Sequence, residues 1–295
     1  MVLEEKINKI NRLIDIDKYI KDDNYTIKNI EKYYKINDLF YRKFHSNKGF
    51  MHFRITKGDK VLDDDILYQD NIIAKYIKNG DKVLELGSGQ GANIKYLANK
   101  YPDSSFIGID LYPLKLKKDD PKNIKLYKQD YSNLPFISDE SIDIIYGIET
   151  IVHSPNKKSV FDEIYRILKK DGILILYDYT LTKDYNNLDD YEKEAIEIIS
   201  KGGAASLVES LDSWNKYIKD AGFKTIKYTD LHEYLLPDLK RLEHKANHIM
   251  KKDSRVKFFF KVFPKSFVNN ILLGWLGYDA YNEGLGYYSE WILKK

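Results

Sequence analysis

The stretch Lys82-Val83-Leu84-Glu85-Leu86-Gly87-Ser88-Gly89-Gln90-Gly91-Ala92 decides the fold. Its first five residues have the pattern of a short buried strand, and a glycine-rich turn follows without a break. Beyond the turn, Ile94, Leu97, Ala98 and Tyr101 recur at i, i+3, i+4 and i+7, the apolar stripe of a helix. A strand that passes through glycines into a helix offers backbone N–H groups to a ligand and lets it approach the chain closely. Pro102 and Asp103 stop the helix, and Ser105-Phe106-Ile107-Gly108-Ile109-Asp110 reads as a second strand.

The same alternation continues outward. Strands are expected over 124–127, 142–146, 173–178, 224–228 and 286–293, the last closing the sheet. Between the fourth and fifth, Ser154 is expected to cap a helix with Pro155 at its first position. Phe161, Ile164, Tyr165 and Leu168 would form its buried face, and Gly172 would end it. A further helix around 214–220 leads through Ala221-Gly222-Phe223 into the sixth strand. Strands alternating with helices predict an α/β fold, a doubly wound, mainly parallel seven-stranded sheet. Two regions fall outside the pattern, so the expected organisation is an N-terminal helical lid over 1–75, a ligand-binding core over 76–229, a cap insertion over 230–283 and a closing core strand over 284–295. Loops at the carboxyl ends of parallel strands form the binding crevice, and both extra regions are placed to fold over it.

The 295 residues carry 48 basic and 45 acidic side chains, a net charge of +3. That balance gives no general reason to expect nucleic acid as a partner. Cysteine is absent, which removes disulfides, thiolate metal sites and cysteine nucleophiles together. His244 and His248 lie one helical turn apart, but no acidic neighbours complete a metal site, and none is expected. The first twenty residues interleave charged with apolar side chains, unlike a secretory signal. The most apolar region, residues 256–276, is interrupted by Lys257, Lys261, Pro264, Lys265, Asn269 and Asn270, so it does not read as a bilayer span. It mixes Phe258, Phe259, Phe260, Phe263 and Phe267 with lysines, a composition suited to peripheral membrane contact or to the underside of the cap. The expected compartment is the cytoplasm.

The glycine turn alone does not choose its ligand. Gly87, Gly89 and Ala92 also satisfy the dinucleotide fingerprint, so a nicotinamide cofactor fits it too. Asp110 ends the second strand, where a carboxylate can accept hydrogen bonds from both ribose hydroxyls. Asp130, after the third strand, stands where it can accept from an adenine amino group. Gly147-Ile148-Glu149-Thr150 lies at the crevice end of the fourth strand.

With these ordered motifs in view, the chain across most of 75–295 resembles the class I S-adenosylmethionine-dependent methyltransferases. The resemblance implies their Rossmann-like fold, with S-adenosyl-L-methionine as donor and S-adenosyl-L-homocysteine as product. It implies that Gly87, Ser88, Gly89 and Gly91 border the methionine and ribose, that Asp110 with Leu111 beside it holds the ribose, and that Asp130 and Tyr131 frame the adenine. Glu85 would orient the turn or reach the donor's amino group, and Ile148 and Glu149 would border the sulfonium. Residues 149–157 and 163–169 are similar to the matching stretches of sterol and tocopherol C-methyltransferases. In those relatives a Trp-Gly pair stands near the N-terminal lid, where this chain has Asn47-Lys48-Gly49-Phe50-Met51-His52-Phe53 and no Trp. Leu242-Glu243-His244-Lys245 is similar to part of the cap of phosphoethanolamine N-methyltransferases.

The acceptor implied is a small, lipophilic molecule methylated on carbon or nitrogen. A phosphobase or other small amine, an NAD-dependent oxidation and a non-catalytic nucleoside-binding role are the alternatives. Phe40, Tyr41, Phe44, Phe50 and Phe53 supply aromatic faces that can stabilise a sulfonium or carbocation. His153, Glu149 and, from the lid, His52 are the candidate general bases.

Overall fold

The computed structural model describes residues 2–14, 16, 46, 48–58, 60–113, 115–206 and 208–295. The strands are β1 (Lys82–Leu86), β2 (Ser105–Asp110), β3 (Ile124–Lys128), β4 (Ile142–Ile148), β5 (Leu168–Leu181), β6 (Lys224–Asp230) and β7 (Gly286–Lys294). They pair in the order β3-β2-β1-β4-β5-β7-β6. The pairs β1–β2, β1–β4, β2–β3 and β4–β5 are parallel, whereas β7 runs antiparallel to both β5 and β6. That inserted antiparallel strand separates this sheet from the six-stranded order 3-2-1-4-5-6 of dinucleotide-binding domains.

The helices are α1 (Val2–Leu13), α2 (Tyr68–Ile73), α3 (Ala92–Lys100), α4 (Lys157–Ile167), α5 (Asp190–Gly202), α6 (Leu211–Asp220), α7 (His232–Met250), α8 (Asp253–Val262) and α9 (Lys265–Asn282). Successive strand residues point to opposite faces, so each strand feeds two cores. Leu84, Leu86, Ile145, Leu174 and Trp291 pack with Phe161 and Ile164 of α4 and Trp214 of α6. Trp214 stacks on Trp291 with centroids 5.1 Å apart. On the other face Val83, Phe106, Tyr146, Tyr177 and Tyr288 join Ile94 and Leu97 of α3 and the buried sides of α1, α5, α7 and α9.

Two local expectations are corrected. The cap of α4 is Asn156, whose side chain accepts from the Ser159 N–H, while Ser154 Oγ accepts from the Asn156 N–H one turn earlier. Pro155 therefore lies outside the helix, in the turn that leads to it. The helix also ends at Ile167, not at Gly172, because Leu168 is already extended and pairs with Ile142. Gly172 lies within β5, at the irregularity between the Ile142–Leu168 and Ile144–Ile173 pairs, next to Asp171 at φ 64°.

The first helix is fastened to the last by charge. Lys6, buried on α1, bonds Glu243 Oε1 of α7 at 2.8 Å and the Trp275 carbonyl at 2.7 Å, and also pairs with Asp279 of α9. Burying such a group costs desolvation, but removing one partner leaves a buried charge uncompensated. Lys6→Ala is therefore expected to lower stability by about 3 kcal/mol in urea unfolding.

Candidate active site

The site forms where β1, β2 and β4 end at their carboxyl edge. Gly87, Gly89 and Gly91 take φ of 67°, 45° and 71°, the left-handed region that glycine enters without cost. A Cβ at Gly87 would land on the Thr150 side chain, so the turn after β1 and the segment after β4 meet at van der Waals distance. Asp110 locks this turn: its Oδ2 accepts from the Gly89 N–H at 2.8 Å and its Oδ1 from the Tyr112 N–H at 2.7 Å. Burial raises its pKa, and these two N–H groups oppose the shift.

Glu85 and Ser88 lie under the turn. Glu85 Oε2 and Ser88 Oγ are buried without a hydrogen-bond partner among the described residues, and both residues line the cavity described below. Burial lifts the Glu85 pKa well above the ordinary carboxylate range, and Asp70 and Asp110 add to it. Beyond Glu85, Asp70 on α2 is fully buried, and desolvation pushes it up to about 7. Asn93 Nδ2 donates to Asp70 Oδ2 at 3.0 Å and lies 2.8 Å from His52 Nε2. An amide NH₂ only donates, so His52 Nε2 accepts and the ring proton sits on Nδ1, 3.1 Å from the Phe53 carbonyl. Both ring nitrogens of His52 are thus engaged, and a base at His52 must first give up Asn93.

Glu149, the residue after β4, takes φ 52°, a conformation rare outside glycine and costing of order 1 kcal/mol. Its backbone N–H donates to the Tyr177 carbonyl at 2.7 Å, after which the chain turns sharply into the short helical turn Ile151–His153. The bent backbone leaves the carboxyl buried among aromatic rings. Glu149 Oε1 accepts from the Phe53 N–H and the Tyr288 O–H, each at 2.9 Å. Desolvation nevertheless raises its pKa to about 8. Tyr288 O–H lies 3.1 Å from Gln69 Nε2, which donates to it. Asp178, at the far end of β5, accepts from the Val152 N–H at 3.0 Å, and burial brings it to about 7. His153 Nδ1 donates to the Ala204 carbonyl at 2.8 Å, and burial lowers its pKa, so the imidazole is neutral.

One cavity of about 1250 Å³ runs past these groups, though Asp70, Asp178 and Tyr288 do not line it. That exceeds the ~300–1000 Å³ of single-ligand clefts and leaves room for two molecules side by side. Its polar end carries Glu85, Gly87, Ser88, Gly89, Gly91, Asp110, Leu111, Asp130, Tyr131 and Ile148. Asp130 Oδ1 caps its own turn through the Ser132 N–H, and Tyr131 O–H donates to the Thr150 carbonyl at 2.8 Å. His52, Phe53, Glu149 and His153 stand at the junction. The other end is mostly apolar, walled by Ile196 and Ile199 of α5, Leu239 and Leu242 of α7, and Phe267 and Ile271 of α9, with Ser200, Lys245 and Asn270 of the same helices also lining it.

Not every residue singled out in the sequence reaches the cavity. Phe50 is buried and packs edge-on against His52, 5.7 Å between centroids, without lining the cavity. Phe40, Tyr41 and Phe44 lie outside the described residues. His244 and His248 face each other with centroids 5.5 Å apart, and no cluster of three metal-ligating side chains occurs among the described residues. The stretch 256–276 divides: Phe259, Phe267, Leu272 and Trp275 are buried, whereas Phe258 and Phe263 are exposed. Sequence reasoning missed Tyr179, Tyr281, Tyr288 and the acidic pair Asp70 and Asp178. Asp178 and Tyr179 were detectable, since the first ends a predicted strand at the crevice side and the second follows it; Tyr288 and Asp70 come from elements far away in sequence.

Residues 84–176 match the family described as "Methyltransferase domain". Among curated relatives, a sterol 24-C-methyltransferase of Gibberella zeae is 28% identical over 222 residues, covering 72% of this chain and 57% of that protein. The chain thus spans little more than half the length of that relative. Among solved structures, a cyclopropane synthase from Mycobacterium tuberculosis has a TM-score of 0.73 at 16% identity, covering 93% of this chain and 100% of that one. A phosphoethanolamine N-methyltransferase of Haemonchus contortus has a TM-score of 0.66 at 16% identity, covering 92% of this chain and 59% of that one. These two solved structures share the fold.

Buried carboxyls with raised pKa values impose a pH dependence on stability. Below about pH 4.5 Glu149 is protonated in folded and unfolded chains alike and contributes no slope. Above that value the unfolded chain ionises first, so stability falls by up to about 1.4 kcal/mol per pH unit until the folded group ionises near 8. Asp70 and Asp178 act in the same direction up to about 7. The ligand-free protein is expected to melt at lower temperature at about pH 8 than at about pH 5, with a shallower decline in Glu149→Gln. Calorimetric melting of both proteins across that range checks this.

Proposed function

We propose that the protein transfers a methyl group from S-adenosylmethionine to a small, lipophilic acceptor and releases S-adenosylhomocysteine. The observation that carries this reading is the single cavity, a glycine-and-carboxylate cradle at one end continuous with an apolar chamber at the other. The cradle suits an aminonucleoside: the partnerless Glu85 Oε2 and Ser88 Oγ match an ammonium and a hydroxyl, and the bare backbone at Gly87 and Gly89 admits close approach. In this reading Gly87, Ser88, Gly89 and Gly91 border the methionine and ribose, Asp110 and Leu111 hold the ribose, and Asp130 and Tyr131 frame the adenine. Ile148 and Glu149 border the sulfur. The similarity to sterol 24-C-methyltransferases supports a lipophilic acceptor, as do the Ile, Leu and Phe walls. The antiparallel β7 argues against a nicotinamide enzyme.

When bound, S-adenosylmethionine supplies a methyl carbon activated by a sulfonium. The residues of the chain align the acceptor, exclude water and manage one proton. Holding the reacting atoms in line is worth roughly 7–11 kcal/mol of barrier. A carbon acceptor must then shed a proton, and Glu149 is the best-placed group to take it. Its raised pKa makes it a stronger base than an exposed carboxylate, and Phe53 N–H and Tyr288 O–H orient it. His153, neutral with its proton on Nδ1, is the second candidate. The setting proposed is cytoplasmic, with peripheral membrane contact through residues 256–276; among the described residues no helix is long and apolar enough to cross a membrane.

Calorimetry is expected to register S-adenosylhomocysteine binding that weakens at least about tenfold in Asp110→Ala, through loss of charge-assisted hydrogen bonds. Label from the donor methyl should appear in extracted lipids. Glu149→Gln should slow that transfer by about a hundredfold or more with product affinity little changed. Transfer by the native protein should rise with pH and level off above about 8. No heat with donor or product would overturn the reading.

A further inference from the structure

The α8–α9 corner has a chemistry that the cavity does not account for. From Lys251 to Lys265 the chain carries six basic residues, Lys251, Lys252, Arg255, Lys257, Lys261 and Lys265, against one acid, Asp253. That acid is already engaged, 3.7 Å from Lys9 Nζ and 3.5 Å from Arg12 Nη2. Among the same residues, large apolar side chains face outward: Phe258 is 61% exposed, Val262 57% and Phe263 37%. An amphipathic helix with basic residues and exposed aromatics has the composition of one that lies in a membrane interface. A nucleic-acid duplex would use the lysines but would offer the phenylalanines no unstacked base.

The patch is also joined to the cavity. Phe263 stacks on Phe259 at 4.4 Å, and both rings meet Phe267, at 5.5 and 5.4 Å. Phe267 in turn forms part of the cavity wall together with Ile271. Three packed rings therefore run from the exposed corner to the apolar chamber.

We infer that the α8–α9 corner docks on an anionic bilayer surface, with Phe258, Val262 and Phe263 in the interface and the basic residues over the lipid headgroups, and that a lipophilic acceptor passes from the bilayer along the Phe263–Phe259–Phe267 rings into the chamber. The second half rests on the function proposed above; the first half does not. The contact is narrower than the stretch 256–276, since residues from Phe267 onward are largely buried in the helical layer. Each basic residue near a negatively charged surface adds a favourable increment, and added salt screens it.

Flotation with vesicles tests the docking. The protein should float with equimolar phosphatidylcholine and phosphatidylglycerol, bind phosphatidylcholine alone at least about tenfold more weakly, and detach as salt is raised. Lys257→Glu with Lys261→Glu should remove the preference for anionic vesicles, whereas the same exchange at Lys216 and Lys219 of α6 should not. Phe258→Ser with Phe263→Ser should cut binding at least about tenfold, and Phe258→Ser alone, at a ring 61% exposed, should weaken it while leaving the melting temperature and S-adenosylhomocysteine affinity unchanged. Equal binding to both vesicle types, no binding to either, or full binding by the phenylalanine variant would overturn the inference. So would a dimer in solution that the phenylalanine variant dissolves, because the patch would then be covered by a second copy. Product binding by calorimetry without vesicle binding removes this inference alone; vesicle binding without product binding removes the methyl-transfer reading and with it the passage of the acceptor, and leaves the docking standing.

Discussion

Asp110 occupies the position on which the rest of the site depends. Its two oxygens accept from Gly89 and Tyr112, so one carboxylate sets both the glycine turn after β1 and the loop after β2. The turn can take that shape only because three of its residues tolerate positive φ, and because Gly87 leaves room for Thr150 to pack against the bare backbone. The contact with Thr150 ties the end of β1 to the segment that carries Glu149. A side chain at Gly87 would push these two segments apart, and with them the polar end of the cavity and its junction with the apolar chamber.

Much of this was readable without coordinates, for a physical reason. The first two strands are short, largely buried and bounded by glycine, proline and aspartate, so their limits in the sequence, 82–86 and 105–110, are also their limits in space. Reading failed where two local signals competed. Ser154-Pro155 has the chemistry of a helix start, but Asn156 caps the helix and Ser154 is spent on the turn before it. Gly172 looks like a helix stop, yet pairing with β4 draws the chain into strand from Leu168 onward. Tertiary hydrogen bonds decided both.

The far wall of the cavity was less legible still. Strand ends announce themselves because the crevice rule applies to any parallel sheet. Ile196, Leu239 and Ile271 belong to three helices whose apolar residues serve the core and the cavity alike, and nothing in their spacing separates the two uses. Tyr288 is a sharper case. It reads as a buried aromatic in a strand, and its hydroxyl acquires a role only because β7 pairs with β5 in the register that puts it opposite Tyr179.

That register links topology to chemistry. An antiparallel β7 beside β5 brings Tyr179, Tyr281 and Tyr288 together, with ring centroids 5.2 and 6.2 Å from Tyr179. The cluster surrounds Glu149 with low-dielectric rings while leaving it the Tyr288 O–H and the Phe53 N–H as donors. Desolvation outweighs the hydrogen-bond donors around it, so the carboxyl's pKa rises to about 8, a value an exposed glutamate does not reach. In the function proposed above, the same rings that raise Glu149 also exclude water and favour an apolar acceptor, so specificity and proton affinity would share one cause. A polar substitution in those walls is therefore predicted to act twice, loosening the fit of the acceptor and returning Glu149 toward an ordinary carboxylate.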